Sequence, residues 1–79
     1  MQHFKEINNA LEATFKFKNF VEAFGFMTKV ALLAEKADHH PDWENSYNTV
    51  TIRLSTHSAG HVVTEKDVQL ATKIEQLFN

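Results

Sequence analysis

Leu11-Glu12-Ala13-Thr14-Phe15-Lys16-Phe17-Lys18-Asn19-Phe20-Val21-Glu22-Ala23-Phe24 changes its hydrophobic period once, at Asn19, and that change decides the fold. Before Asn19, Leu11, Ala13, Phe15 and Phe17 share one parity while Glu12, Thr14, Lys16 and Lys18 share the other. Strict alternation with aromatics is the pattern of a strand with one buried and one wet face. After Asn19, Phe20, Phe24, Met27 and Ala31 recur at spacings of four, three and four, with Val30 and Ala34 widening the stripe. This spacing predicts an amphipathic helix over about Phe20–Ala37. Asn19 is its cap, and Glu22, three residues on, makes a capping-box-like pair. Gly25, inside the helix, costs roughly 1 kcal/mol relative to alanine unless something packs closely against it.

Outward from that junction, the remaining elements follow. Upstream, Asn8-Asn9 supplies the positive backbone angles of a tight hairpin, so Gln2–Ile7 is expected as the partner strand. Phe4 and Ile7 have opposite parity, which implies a bulge or a frayed end. Downstream, Pro41 stops the helix, because the residue before proline avoids helical angles. A short extended piece around Trp43–Ser46 and a strand over Asn48–Thr56 form a second hairpin, with Val50, Ile52 and Leu54 alternating against Thr51, Arg53 and Ser55. Thr64 opens the last helix, with Asp67 at its third position and Leu70, Ala71, Ile74, Leu77 and Phe78 as its apolar stripe. The expected fold is α+β: a two-layer sandwich with a four-stranded antiparallel sheet and two helices on one face, forming a single domain over residues 1–79. The other sheet face carries Thr, Lys, Glu and Arg, suited to water or to a pocket.

Composition narrows what such a domain can do. The chain has 79 residues, no cysteine, and 8 Lys+Arg against 10 Asp+Glu, a net charge of −2. A core this small barely outweighs chain entropy, and disulfides and thiolate zinc are excluded, so burial against further copies is expected. Slight acidity with one arginine, Arg53, argues against direct nucleic-acid binding. The apolar runs are too short to span a bilayer, and Met1-Gln2-His3-Phe4-Lys5-Glu6 lacks a signal-peptide layout, so a cytoplasmic location is expected.

The candidate chemistry lies in Glu35-Lys36-Ala37-Asp38-His39-His40-Pro41-Asp42-Trp43 and in Ser55-Thr56-His57. Histidine donates and accepts protons near neutral pH. His39 and His40 sit at a helix-to-strand junction stiffened by Pro41, and His57 lies just past a strand end, so the three can frame one pocket edge. By spacing alone the histidines fit three readings: ordinary hydrogen-bonded residues, acid/base groups, or a metal site of His39, His40, His57, His61 and Asp67. Neighbours in extended chain point to opposite faces, which weighs against His39 and His40 sharing one metal. Asp67 also fits a purely structural cap, and Glu35 a helix-face residue that orients one histidine. Trp43 and Tyr47 read as core or pocket-wall residues.

The series Glu35, His39-His40-Pro41, Tyr47, Thr56-His57 and Asp67 resembles the signature of the pterin-4a-carbinolamine dehydratase family. Phe15-Lys16-Phe17-Lys18-Asn19-Phe20-Val21-Glu22-Ala23 resembles that family's strand-to-helix entry, and Thr64-Glu65-Lys66-Asp67 its last helix start. The resemblance spans nearly the whole chain and implies the same two-layer α+β fold. It also implies a reaction, loss of water from a 4a-hydroxytetrahydropterin to give the quinonoid dihydropterin in tetrahydrobiopterin recycling. The hydroxyl must gain a proton to leave, and the neighbouring ring nitrogen must lose one. The reaction asks for no metal and no cofactor, the pterin being the substrate.

Carried over residue by residue, the resemblance makes His39 and His57 the acid/base pair, with His40 chiefly holding the pterin. Asp38 and Ser55, Thr56, His57 and Ser58 would meet the ring's donors and acceptors, with Glu35, Pro41 and Asp67 in support. The implied assembly is a homo-oligomer, a dimer or tetramer, beside an aromatic amino-acid hydroxylase. Two departures stand out. The Ser58-Ala59-Gly60-His61-Val62-Val63 loop is one residue longer than the family's Gly-Gly loop, so His61 has no family role. Animal members carry a helix before the first strand, where this chain starts directly at the strand. An alternative function within the same resemblance is an interaction module, a dimerisation partner of a homeodomain transcription factor that uses the long helix. Another is a pterin-binding protein with little catalysis.

Overall fold

The computed structural model describes residues Met1–Asn79. Its elements are β1 (Lys5–Ile7), β2 (Ala10–Lys16), α1 (Phe20–Ala37), β3 (Asp42–Ser46), β4 (Thr49–Leu54), a single 3-10 turn (His57–Ala59) and α2 (Glu65–Phe78). The four strands form one antiparallel sheet in the order β1-β2-β4-β3. Asn8 and Asn9 both adopt positive φ, +51° and +64°, the backbone that a two-residue hairpin loop requires. The register sets Leu11 opposite Leu54, Ala13 opposite Ile52 and Phe15 opposite Val50. Those six residues are buried on one face, against Ala23, Phe26, Val30 and Ala34 of α1 and Leu70, Ala71 and Ile74 of α2. Both helices therefore cover the same side of the sheet, as the periodicity predicts.

On the opposite face, Lys5, Glu12, Arg53 and Asp42 stand in one row across all four strands, alternating in sign. Glu12 and Arg53 pair at 3.5 Å. Opposite charges on neighbouring strands stabilise a wet face modestly, by about 0.2–1 kcal/mol per pair.

Several expectations are corrected. The first strand does not start at Gln2: the N–H groups of His3 and Phe4 donate to the Glu75 carboxylate at 2.6 and 2.9 Å, so the chain leaves the sheet before Lys5. Phe4 is nevertheless buried, because this detour turns its ring against Phe15. The fourth strand is shorter than Asn48–Thr56. Asn48 belongs to the turn, and Thr56 pairs instead with Val62 across its own loop. Tyr47 is neither core nor pocket wall. It sits exposed in the β3–β4 turn at φ +51°, at the opposite end of β3 from the histidines. Trp43 does pack on the core, opposite Ile52.

The buried face of α1 also differs from the expected stripe. Val30 and Ala34 of that stripe are buried and Met27 packs on the core. Phe20 and Phe24, however, are about half exposed and Ala31 is exposed, and Ala23 and Phe26 face the core in their place. Apolar residues surround most of this helix, so periodicity alone selects no single face. The packed face is the one with a small residue near each end: Ala23 and Ala34 let the backbone approach closely, and Phe26 and Val30 fill the space between. Phe20, Val21, Phe24 and Leu32 are left facing outward. Only 17 of 79 residues are buried, so each buried contact is a large share of the total stability.

Candidate active site

The C-terminal end of α1 shapes one wall of the site. Asp38 takes a left-handed backbone, φ +51° and ψ +43°, and its N–H reaches the Ala34 and Glu35 carbonyls. The His39 N–H also donates to Ala34, at 3.1 Å. Aspartate tolerates this conformation better than most residues, and it ends the helix abruptly. Pro41 then carries the chain into β3, so His39 and His40 diverge.

His39 turns inward. Its Nε2 lies 2.5 Å from Asp67 Oδ1, with only 11% of the His39 side chain and none of the Asp67 side chain exposed. The second Asp67 oxygen accepts from the Thr56 hydroxyl and from the Thr64 N–H, each at 2.8 Å. With the Thr56 proton so committed, the Thr64 hydroxyl donates to Thr56 at 2.6 Å. Burial by itself would raise the Asp67 pKa. The His39 hydrogen bond, the Thr64 amide, the Thr56 hydroxyl and the His39 charge outweigh it and hold the carboxyl below its usual range. An ionised Asp67 is an acceptor only, so His39 carries a proton on Nε2 in either charge state, and in its neutral form Nδ1 is the ring's acceptor. The two readings of Asp67 are thus both satisfied: it caps α2 through Thr64, and it orients His39.

His40 turns outward and pairs with Glu35 at 2.9 Å, both side chains largely exposed. Glu35 thereby orients one histidine from the helix face and does not itself line the cleft. His57 opens the 3-10 turn after β4. Its Nε2 stands 3.8 Å from Asp42 Oδ2, an ion-pair distance too long for a hydrogen bond.

These elements enclose an open, mainly polar cleft of about 320 Å³. Asp38, His39, His40 and Pro41 form one wall, and Ser55, Thr56, His57 and Ser58 the other. Asp42 and Lys66, to which the sequence gives no role of their own, complete it. Lys66 projects from the first turn of α2 beside Asp67, a position visible only once α2 is docked over the β4 end. No three histidine or carboxylate side chains converge as a ligand set. His61 lies outside the lining, with its ring against that of His57, centroids 4.7 Å apart. A cleft edged by diverging histidines, one of them locked by a buried carboxylate, is suited to moving protons on a small bound molecule.

A profile described as Pterin 4 alpha carbinolamine dehydratase matches residues 2–77. The chain belongs to the pterin-4a-carbinolamine dehydratase family. A family member from Prochlorococcus marinus (strain NATL2A), provisionally named a pterin-4-alpha-carbinolamine dehydratase, is 57% identical over 72 residues, 91% of this chain and 75% of that protein. A relative with the same provisional name from Afipia carboxidovorans is 59% identical over 68 residues, 86% and 67% of the two chains. Among solved structures, a transcriptional coactivator/pterin dehydratase from Brucella melitensis superposes with a TM-score of 0.90 at 45% identity, over 96% of this chain and 82% of that one. A pterin dehydratase-like protein identified as a RuBisCO assembly factor in the alpha-carboxysome shares the fold, with a TM-score of 0.77 at 20% identity over 98% and 88%. The two-layer α+β fold is thus the family fold, and no helix of this chain is long and apolar enough to cross a membrane.

Proposed function

We propose that this protein is a 4a-hydroxytetrahydropterin dehydratase working by histidine acid/base catalysis. The observation that carries the reading is the His39–Asp67 pair, buried at the edge of a polar cleft whose opposite wall bears His57. His39, with Nδ1 free, is the base that takes the proton from the ring nitrogen, and the Asp67 carboxylate stabilises the imidazolium that forms. His57 is the acid that protonates the departing hydroxyl, with the Asp42 carboxylate 3.8 Å away. His40, held by Glu35, lies against the pterin. Asp38, Ser55, Thr56 and Ser58 supply donors and acceptors to its amide-like edge, with Pro41 stiffening the wall. Each well-placed acid or base contributes about 10²–10⁴-fold in rate, so the two histidines suffice without a cofactor. The product belongs to tetrahydrobiopterin recycling beside an aromatic amino-acid hydroxylase in the cytoplasm.

The exposed Phe20, Val21, Phe24 and Leu32 favour a second property, association through α1, either with further copies of this chain or with a regulatory protein partner. A stopped-flow assay of 4a-hydroxypterin dehydration tests the first reading: acceleration over buffer is expected, and none would leave binding through α1 as the better account. Sedimentation of Phe24→Lys tests the second, with a smaller assembly and unchanged turnover per chain expected.

A further inference from the structure

We propose that the site prefers pterins whose side chain ends in an anion, with Lys66 and Lys73 of α2 binding that charged end in a side pocket next to His39. This rests on the dehydratase reading above and adds to its uncharged biopterin substrate a class with a charged tail. Dehydration breaks a C–O bond and an N–H bond on neighbouring ring atoms. The side chain of a pterin is attached to the carbon on the other side of that nitrogen. A tail therefore starts one bond from the atom that His39 deprotonates, and the residues that flank His39 are the ones the tail meets.

Those residues suit an anion. His39 and Lys66 line the main cleft and also a second, smaller pocket of about 60 Å³, which Ala37, Gln69, Leu70 and Lys73 complete. The cleft, at about 320 Å³, is the place for the fused ring, and the side pocket has room only for a small head group. Lys66, Gln69, Leu70 and Lys73 follow at helical spacing on one stripe of α2, with the two lysines about 10.5 Å apart along the axis. Neither lysine makes an ion pair, and no carboxylate lines this pocket. The acids nearby are engaged or placed elsewhere. Asp67 is buried and turned onto His39, Thr56 and Thr64, Asp38 and Asp42 line the main cleft alone, and Glu65 pairs with neither lysine. In a chain of net charge −2, two unpaired ammonium groups around an acid-free pocket make a local positive field. Gln69 adds amide donors. An ammonium binds a phosphate or a carboxylate as a point charge, so the tail can end in either.

The test is stopped-flow dehydration of three 4a-hydroxytetrahydropterins that differ in the side chain: the uncharged dihydroxypropyl of biopterin, a chain ending in a phosphate monoester, and a chain ending in a carboxylate. Wild type is expected to favour the anionic substrates in kcat/KM by about three- to tenfold at low salt, the range that two exposed charge pairs give. The preference shrinks toward one as salt is raised, and in the double variant Lys66→Gln/Lys73→Gln. Whichever anion gains more identifies the end of the tail. Equal kcat/KM for all three substrates in wild type, or a preference that the double variant keeps, overturns the proposal and leaves the dehydratase reading standing. Calorimetric binding of the corresponding 7,8-dihydropterins, which have no 4a-hydroxyl to lose, separates the two failures. If wild type accelerates no dehydration, the proposed function fails. Tighter, lysine-dependent binding of the anionic dihydropterins then still supports the tail pocket, and equal binding of all three sinks it.

Discussion

Two histidine–carboxylate pairs hang from α2, built from nearly the same parts and put to different uses. Asp67 holds His39 at 2.5 Å and accepts from a hydroxyl and a backbone amide. Glu75, two helical turns on, holds His3 at 2.6 Å and accepts from the His3 and Phe4 amides. The two lie about 12 Å apart along the axis at 1.5 Å per residue. Both carboxylates are buried, and burial alone would raise both pKa values. Their histidine and backbone donors reverse that and hold both below the usual range. The difference is what the histidine faces. The His3 ring lies between Phe15 and Phe78, with centroids 5.0 and 4.9 Å away, and so serves as an anchor for the N-terminus. The His39 ring edges a polar cleft, where the proposed function uses it as the base. A strong pair and a shifted pKa do not by themselves mark a catalytic centre; the open polar space beside the His39 pair is what makes it the candidate.

The sharpest way to break that contrast is to remove the imidazoles of the cleft. His39→Ala and His57→Ala are expected to lower kcat by about 10²–10⁴-fold with the fold retained, since Asp67 keeps its Thr56 and Thr64 donors. Unchanged turnover with intact circular dichroism would remove the catalytic assignment. Asp67→Asn should cost less in rate, about tenfold to a hundredfold, as the residual power of a correctly placed but unoriented base. It should also lower stability by about 1–3 kcal/mol in urea titrations, through a mismatched buried hydrogen-bond set.

At the other pair, Glu75→Gln should cost a similar 1–3 kcal/mol, roughly, and leave kcat and KM unchanged. A loss of turnover there at full folding would dissolve the distinction between anchor and site. Acid should release both together. A carboxyl whose folded pKa lies below its unfolded value adds stability above the unfolded value and loses it as pH falls through the folded one. Melting temperature should therefore start to drop below the usual values of 4.5 for Glu75 and 3.8 for Asp67, and Glu75→Gln should flatten the upper part of that slope. The smallest effect is expected outside both pairs. A methyl at Gly25 meets nothing within 4 Å, so Gly25→Ala should add about 0.5–1 kcal/mol of stability and leave turnover alone.

Much of this contrast is hidden from the sequence. His39, His40 and His57 stand beside turn signals and strand ends, where local pattern identifies them and the series around them marks the family. His3 and Glu75 are 72 residues apart and obey no local rule. A buried glutamate in a helix stripe looks like any surface glutamate until its partner is folded against it. Lys66 and Asp42 reach the cleft for the same reason, through the docking of α2 and the placement of β3.

By itself the sequence determined the order of elements, the strand-to-helix change at Asn19, the Asn8-Asn9 turn and the limits of α1. These depend on period, caps and backbone angles, which act over a few residues. Tertiary structure alone decided which face of α1 is buried, where the first strand begins, which carboxylate locks which histidine, and that His61 leans on His57. Those outcomes depend on the fit of distant surfaces: the close approach that Ala23 and Ala34 allow, and buried donors that must find an acceptor. Local periodicity carries no information about either.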